Sequence, residues 1–401
     1  MKPRIFIYMH YMELGGAERA LLGLLNAFDP DRVDVDLFLN QHTGDFMTLI
    51  PSWVRLLPEQ CGYNAIERPM RQIVREGQWR VALARLRARR KHAKYAKTLT
   101  NDQRAMDASI FQYVMSEVDK ILPPLAIATY DLAISFLQPH NFVLSKVRAR
   151  KKICWIHTDY STVHVNVAQE LPLWAAYDHI VSISTDCTRA FLKTFPSLAP
   201  KIIEIENILS PAFVRAQAEQ GIAPELQTLP SDVVKIVSVG RISHAKNYDN
   251  VPHMAARLKQ LGVRFMWTIV GPGDHADIDR TLAETGTADV VQFLGPRSNP
   301  YPYIAAADIY CQPSRYEGKS VTVREAQMLC RPVLITAYPT AQSQVRNGQD
   351  GMIAPMDNAG CAAALVRLIN DEPLRAHLTQ YCQSHDFGNE KEVNKIYELL
   401  N

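Results

Sequence analysis

The run Cys311-Gln-Pro-Ser-Arg-Tyr-Glu317-Gly-Lys-Ser-Val-Thr-Val-Arg-Glu325 decides how the rest of the chain is read. Its apolar lead-in, Ile309 to Cys311, has the composition of a buried strand, and Pro313 and Ser314 end it. Gly318 permits an unusual loop backbone, Ser320 is placed to cap the helix that follows, and Glu325 faces back toward the strand end. In such a strand–loop–helix the amides of Gly318, Lys319, Ser320 and Val321 converge on one spot. There the positive end of the helix favours a phosphate or a polarised hydroxyl. A carboxylate one turn further in can accept from both hydroxyls of a ribose. Acidic helix starts are common in α/β proteins, so the weight of this reading falls on the rest of the chain.

Working outward, the same strand–loop–helix order is found twice more. Residues 4–9 form an apolar strand, Gly15-Gly16 a loop, and Ala17 to Phe28 a helix with Leu21, Leu22, Leu24 and Leu25 at helical spacing. Val233 to Val239, Gly240-Arg241 and a helix from about Asn247 to Leu261 repeat it. Two starts of a parallel sheet predict two similar α/β halves. Further strands are expected at 33–39, 131–137, 152–156, 179–183 and 202–205 in the first half. In the second they fall at 265–270, 290–293, 308–311, 332–335 and 351–353. The predicted layout is a first domain over 1–206 with a basic helical insertion at about 65–120, and a proline-containing linker over 207–232. A second domain covers 233–385, and a charged helix over 386–401 is able to return to the first domain.

The totals agree with two packed domains: 401 residues, 47% hydrophobic and 21% charged. A net charge of +3 is too small to argue for a nucleic-acid partner. The seven cysteines are widely spaced with no Cys-x-x-Cys pair, which fits reduced thiols in a cytoplasmic protein. The first ten residues hold too short an apolar run for a signal peptide, and no stretch approaches a membrane span. The basic residues are unevenly spread. Between Arg68 and Lys97 lie eleven Lys or Arg, with Glu67 and Glu76 the only nearby acids, interleaved with Ile73, Val74, Trp79, Val81, Leu83 and Leu86. Such an insertion can solubilise a helical hairpin or lie on an anionic membrane surface.

Three more places can carry chemistry. Gly15 and Gly16 open the first helix, where backbone can approach a ligand, although glycine pairs also serve as plain turns. Arg241 and Lys246 supply two cations about one turn apart at the equivalent place in the second half, a match for a diphosphate. His157 ends the strand Ile153 to Ile156, on the side of an open sheet where ligands bind. Neither His157-Thr-Asp159 nor Gly271-Pro-Gly-Asp274 offers a spaced set of ligands, so the chemistry reads as metal-independent and free of cofactors.

Taken together, Gly15-Gly16-Ala-Glu-Arg19, Trp155-Ile-His157-Thr-Asp159, Gly240-Arg241 with Lys246-Asn247, and Pro313-Ser-Arg-Tyr-Glu317 with Glu325 resemble the family 4 retaining glycosyltransferases. The resemblance is strongest from about Val233 to Pro355 and weak between Pro51 and Ala128. It implies a GT-B fold, two Rossmann-like doubly wound parallel-sheet domains facing across a cleft. It further implies that Arg241 and Lys246 hold the donor diphosphate, that Glu325 accepts from the ribose, and that Gly16 approaches the diphosphate from the other domain. Glu317 and the amides of Gly318 to Val321 would hold the sugar, His157 would contact sugar and acceptor, and the base would lie near Phe293 to Arg297, shaped by Gly295. Lys319-Ser320 stands where the family often has an aromatic residue and proline, so the sugar is not carried over. The implied donor is a nucleotide sugar, with uridine diphosphate first. The implied acceptor is a saccharide or lipid-linked saccharide in surface polysaccharide or glycolipid assembly, at the cytoplasmic face of a membrane touched by 68–97. A sugar-nucleotide epimerase and a non-catalytic sugar-binding protein are the competing readings.

Overall fold

The computed structural model describes residues 2–400 except 14, 67, 126, 127, 318 and 319. Two units emerge: residues 1–208 together with 390–401, and residues 209–389.

The first unit is built on a parallel sheet with strands β1 (Arg4–Met9), β2 (Asp34–Leu39), β3 (Arg55–Leu56), β4 (Thr129–Ser135), β5 (Arg148–Ile156), β6 (His179–Ser182) and β7 (Ile202–Glu204). Their order is β3-β2-β1-β4-β5-β6-β7. In β1 every residue from Ile5 to Met9 is buried, because helices cover both faces of a parallel sheet. Helix α1 (Gly16–Ala27) follows β1. Between β3 and β4 the insertion forms α2 (Met70–Arg75), α3 (Trp79–Ala96), α4 (Asn101–Ala105) and α5 (Ser109–Asp119), with α3 packed on α5. Phe6, Tyr8, Phe38, Tyr63, Phe142 and Trp174 are buried in the unit's core. The helix Val393–Leu399 belongs to this unit; Tyr397 stacks edge-on against Phe28 and its hydroxyl accepts from the Asp29 amide at 2.8 Å.

The second unit has strands β8 (Val234–Val239), β9 (Phe265–Val270), β10 (Val291–Phe293), β11 (Ile309–Gln312), β12 (Val333–Thr336) and β13 (Met352–Ala354), all parallel, in the order β10-β9-β8-β11-β12-β13. Counted within the unit this is the 3-2-1-4-5-6 order of a dinucleotide-type fold. Residues 209–232, read from the sequence as a linker, pack into this unit as helices Pro211–Gln220 and Pro224–Gln227, with Val214 and Leu226 buried. Pro211 and Pro224, two of the three prolines that suggest a linker, stand at first helical positions, where a missing N–H is harmless, and Ser210 caps the first of the two helices.

Each sheet reverses its strand order once, between β1 and β4 and between β8 and β11. Chains leave these neighbouring strands in opposite directions, so a crevice opens beyond their C-terminal ends, where α/β proteins bind ligands.

Candidate functional site

In the second unit that crevice is walled by the loop after β8, residues 240–250, and by residues 313–317 and 320 after β11. The β8 loop begins at Gly240, where a Cβ would lie 3.0 Å from the Tyr248 hydroxyl and 3.1 Å from Lys246 Cε. The absence of a side chain there lets Lys246 fold back over the strand end. Gly271, after β9, does the same for backbone: a Cβ at that position would come within 2.0 Å of the Gly240 carbonyl oxygen.

Asn247 pins the two walls together. It adopts the left-handed conformation that Asn tolerates better than most residues, with φ 61° and ψ 25°. Its buried side-chain amide donates to the Pro313 carbonyl at 2.8 Å. Arg315 adds a second tie. It donates to both oxygens of Asp249 at 2.8 and 2.6 Å and to the His244 carbonyl, while its own amide reaches the Ala245 carbonyl. The Arg315 guanidinium holds the Asp249 carboxyl below its ordinary range.

Between these ties, Lys246 Nζ lies 2.6 Å from Glu317 Oε1, and the Ser314 hydroxyl donates to the same oxygen at 2.6 Å. Thr340, from beyond β12, donates to the Glu317 carbonyl at 2.8 Å. Three segments therefore fix one acidic and one basic side chain at the mouth of the crevice, both largely enclosed. Arg241, in the same loop as Lys246, is exposed and has no carboxylate partner among the described residues.

Helix Val321–Met328 starts from Ser320, which takes the capping position. The expected side-chain cap is not made: the Ser320 hydroxyl sits 3.2 Å from the Thr322 hydroxyl instead. The Ser320 amide donates to Gln344 Oε1 at 3.2 Å, and the Gln344 amide group donates back to the Ser320 carbonyl. Gln344, not a helix cap, therefore orders this turn. Gly318 and Lys319 lie outside the described residues. Val321 begins the helix, and Glu325 is fully buried one turn later. The Tyr301 hydroxyl donates to Glu325 Oε1 at 2.8 Å, a buried contact across 24 residues of sequence that no local pattern announces.

On the β10 side, Gly295 has φ +69°, a left-handed position suited to glycine, and its carbonyl accepts from the Gly271 amide at 2.9 Å. Arg297 turns onto Glu225 at 3.0 Å and onto the Leu294 carbonyl at 2.6 Å, with its Nε 3.2 Å from the Tyr303 hydroxyl.

The remaining sequence-derived candidates lie in the first unit. Gly15 is the residue before α1, and a Cβ there would collide with the Glu18 carboxylate at 2.0 Å. The first turn of α1 thus carries its own carboxylate, whose pKa burial pushes up. Gly16 faces open space, with nothing within 4 Å of its would-be Cβ. His157 follows β5, its ring centroid 4.8 Å from that of Phe136, and among the described residues its enclosed Nε2 has no hydrogen-bond partner. Burial pushes its pKa down to about 4, so the ring is neutral at neutral pH. Among the described residues no group of three or more His, Cys, Asp or Glu side chains is placed to hold a metal ion.

Residues 223–385 match the family model described as glycosyl transferases group 1. The lipopolysaccharide core biosynthesis glycosyltransferase LpsE of Rhizobium meliloti is 27% identical over 153 residues, 38% of this chain and 44% of that protein. The amylovoran biosynthesis glycosyltransferase AmsK of Erwinia amylovora is 25% identical over 317 residues, 70% of this chain and 78% of its own length. The match thus spans less than half of LpsE. In three dimensions the chain is similar to Anabaena Alr3699/HepE, crystallised with UDP and glucose. The TM-score is 0.64 at 17% identity, over 99% of each chain. That likeness establishes the fold: two parallel-sheet Rossmann-like units of the GT-B kind.

Proposed function

The chain belongs to the glycosyl transferases group 1 family, and from that premise we propose that it moves a sugar, with retention of anomeric configuration, from a uridine diphosphate sugar to a saccharide or lipid-linked saccharide in surface polysaccharide assembly. The observation that carries this reading is the pairing of Lys246 with Glu317 where the β8 and β11 loops meet. Arg241 is exposed in the same loop with no carboxylate partner among the described residues, and Glu325 lies one helical turn inside. The names of LpsE and AmsK support the polysaccharide setting, and the UDP and glucose bound by HepE support the donor class.

Each side chain has a task in this chemistry. Lys246 has three donors, so it keeps Glu317 while a second N–H reaches a phosphate oxygen of the donor. Arg241 adds a planar fork for the same diphosphate. The acceptor hydroxyl attacks the anomeric carbon on the face from which the diphosphate departs; the carbon–oxygen bond to the diphosphate breaks and a phosphate oxygen takes the hydroxyl proton. Lys246 and Arg241 stabilise the negative charge that grows on the leaving group. Glu317, oriented by Lys246, Ser314 and the Thr340 tie on its backbone, accepts from sugar hydroxyls, and Glu325 accepts from the ribose. Neutral His157 offers a sugar hydroxyl one donor or one acceptor without introducing charge.

Incubation with a panel of uridine diphosphate sugars, with and without a saccharide or polyprenyl-linked saccharide extract, tests the proposal. Release of uridine diphosphate that requires the acceptor, with an axial donor giving an axial product by NMR, is the expected result. A donor epimerised without any acceptor, or a product of inverted configuration, overturns it.

A further inference from the structure

The insertion of the first unit carries a surface that neither the fold nor sugar transfer uses. Helix α3 has eighteen residues, Trp79-Arg-Val-Ala-Leu-Ala-Arg-Leu-Arg-Ala-Arg-Arg-Lys-His-Ala-Lys-Tyr-Ala96, and holds five Arg and two Lys with no Asp or Glu. Its inner face is small and apolar: Val81, Ala82, Ala84 and Ala88 are buried. Polar anchors add to the docking. Arg85 donates to the Arg68 carbonyl at 2.6 Å, Lys91 pairs with Glu117 at 2.7 Å, and His92 Nε2 lies 2.7 Å from Asp107.

The outer face has no such employment. Trp79 is 60% exposed, Leu83 51% and Leu86 43%. Their spacing of four and then three residues puts them on one line along the helix, and Arg90 continues that line one turn further. Arg80, Arg87 and Lys94 run beside it, all exposed. Among the described residues none of Arg80, Arg87, Arg90 and Lys94 pairs with a carboxylate. A ridge of one tryptophan and two leucines, about 10 Å long at 1.5 Å per residue and bordered by unneutralised cations, is the pattern of a helix that lies in a lipid–water interface. No helix among the described residues is long and apolar enough to cross a membrane.

We propose that the outer face of α3 docks the protein onto an anionic bilayer. Trp79, Leu83 and Leu86 enter the headgroup–acyl boundary, and Arg80, Arg87, Arg90 and Lys94 contact lipid phosphates. Charge complementarity favours an anionic surface, and the apolar ridge separates a bilayer from other polyanions: a nucleic-acid backbone would engage the arginines but leave the tryptophan and leucines in water. Tryptophan is suited to the task because its ring is apolar while its N–H stays wet. The surface stands independently of the glycosyl-transfer reading, since nothing in it involves the second unit.

The test uses the full chain and vesicles of phosphatidylcholine with or without phosphatidylglycerol. Wild type should sediment with the mixed vesicles, fail to sediment with phosphatidylcholine alone, and release as salt is raised. Arg80→Gln, Arg87→Gln and Arg90→Gln together should lower the partition coefficient by about a hundredfold, at roughly fivefold per lost cation. Trp79→Ser, Leu83→Ser and Leu86→Ser together should lower it by at least about tenfold. Both sets lie on the exposed face, so melting curves should stay within a degree or so of wild type. Brominated acyl chains should quench tryptophan emission in wild type and lose that effect in Trp79→Phe. Absence of binding to mixed vesicles, equal binding to phosphatidylcholine alone, undiminished binding by either triple variant, or tighter binding to RNA than to vesicles would each overturn the proposal.

Discussion

Lys246 and Glu317 are seventy-one positions apart, yet one contact of 2.6 Å joins them. Replacing Lys246 by Ala removes a preorganised cation from the proposed diphosphate site, and turnover should fall by roughly two to three orders of magnitude. Glu317 keeps the Ser314 hydroxyl and stays at the rim of the unit, so the melting curve should scarcely move; steady-state kinetics beside calorimetry check both halves of this expectation. Tyr301 offers a finer probe. Its hydroxyl donates to buried Glu325, and a hydrogen bond to a charged group contributes about 1.5–3 kcal/mol. Tyr301→Phe should therefore loosen the carboxylate proposed to hold the ribose and raise the donor KM by about tenfold, with kcat less affected. A changed kcat at constant KM would place Tyr301 elsewhere in the reaction.

At the scale of elements, α1 shows how closely a helix can be required to sit. Gly23 is buried at its middle, and a Cβ there would approach the Ile208 carbonyl oxygen to 1.9 Å. Backbone cannot yield as a side-chain tip does. Gly23→Ala should cost about 2 kcal/mol or more despite the helix propensity of alanine, which thermal unfolding would register as a drop of several degrees. The same element explains what the sequence can and cannot convey. Strands such as β1, β8, β9 and β12 are legible because a strand covered on both faces is a continuous apolar run, and helix α1 because its leucines keep a 3.6-residue period. β3 has only Arg55 and Leu56, too few for any pattern. The two helices within 209–232 hide behind their prolines, since the same residue opens helices and marks linkers. At the candidate site, the positions of Arg241, Lys246, Glu317 and Glu325 at loop ends and a helix start are legible because such places have local signatures. Tyr301 and Gln344 are not, because their partners are fixed by tertiary packing alone.

For the molecule as a whole, two enclosed histidines link stability to pH. Burial brings His140 down to about 3 and His157 down to about 4, against an ordinary value of 6.5. Both are neutral in the folded first unit, whereas the unfolded chain takes up protons below about pH 6.5. More protons on the unfolded side mean that stability is full above that pH and declines below it, by roughly 1.4 kcal/mol per histidine per pH unit. The decline continues toward pH 4 for His157 and pH 3 for His140. Glu170 works in the opposite direction at the acid end, since burial raises its pKa and the folded chain binds that proton first. Melting temperatures followed downward from neutral pH should stay level and then fall once the solution passes about pH 6.5; a flat profile to pH 5 would show that water reaches both rings.

The second unit is a continuous stretch, 209–389, while the first is finished by 390–401, whose Ile396 is fully buried. During synthesis the stretch proposed above to hold the nucleotide leaves the ribosome before the helix that closes over Phe28. A nascent chain paused between the two would already display one mature body tethered to another still open at its seam, the sort of intermediate that chaperones guard and proteases find.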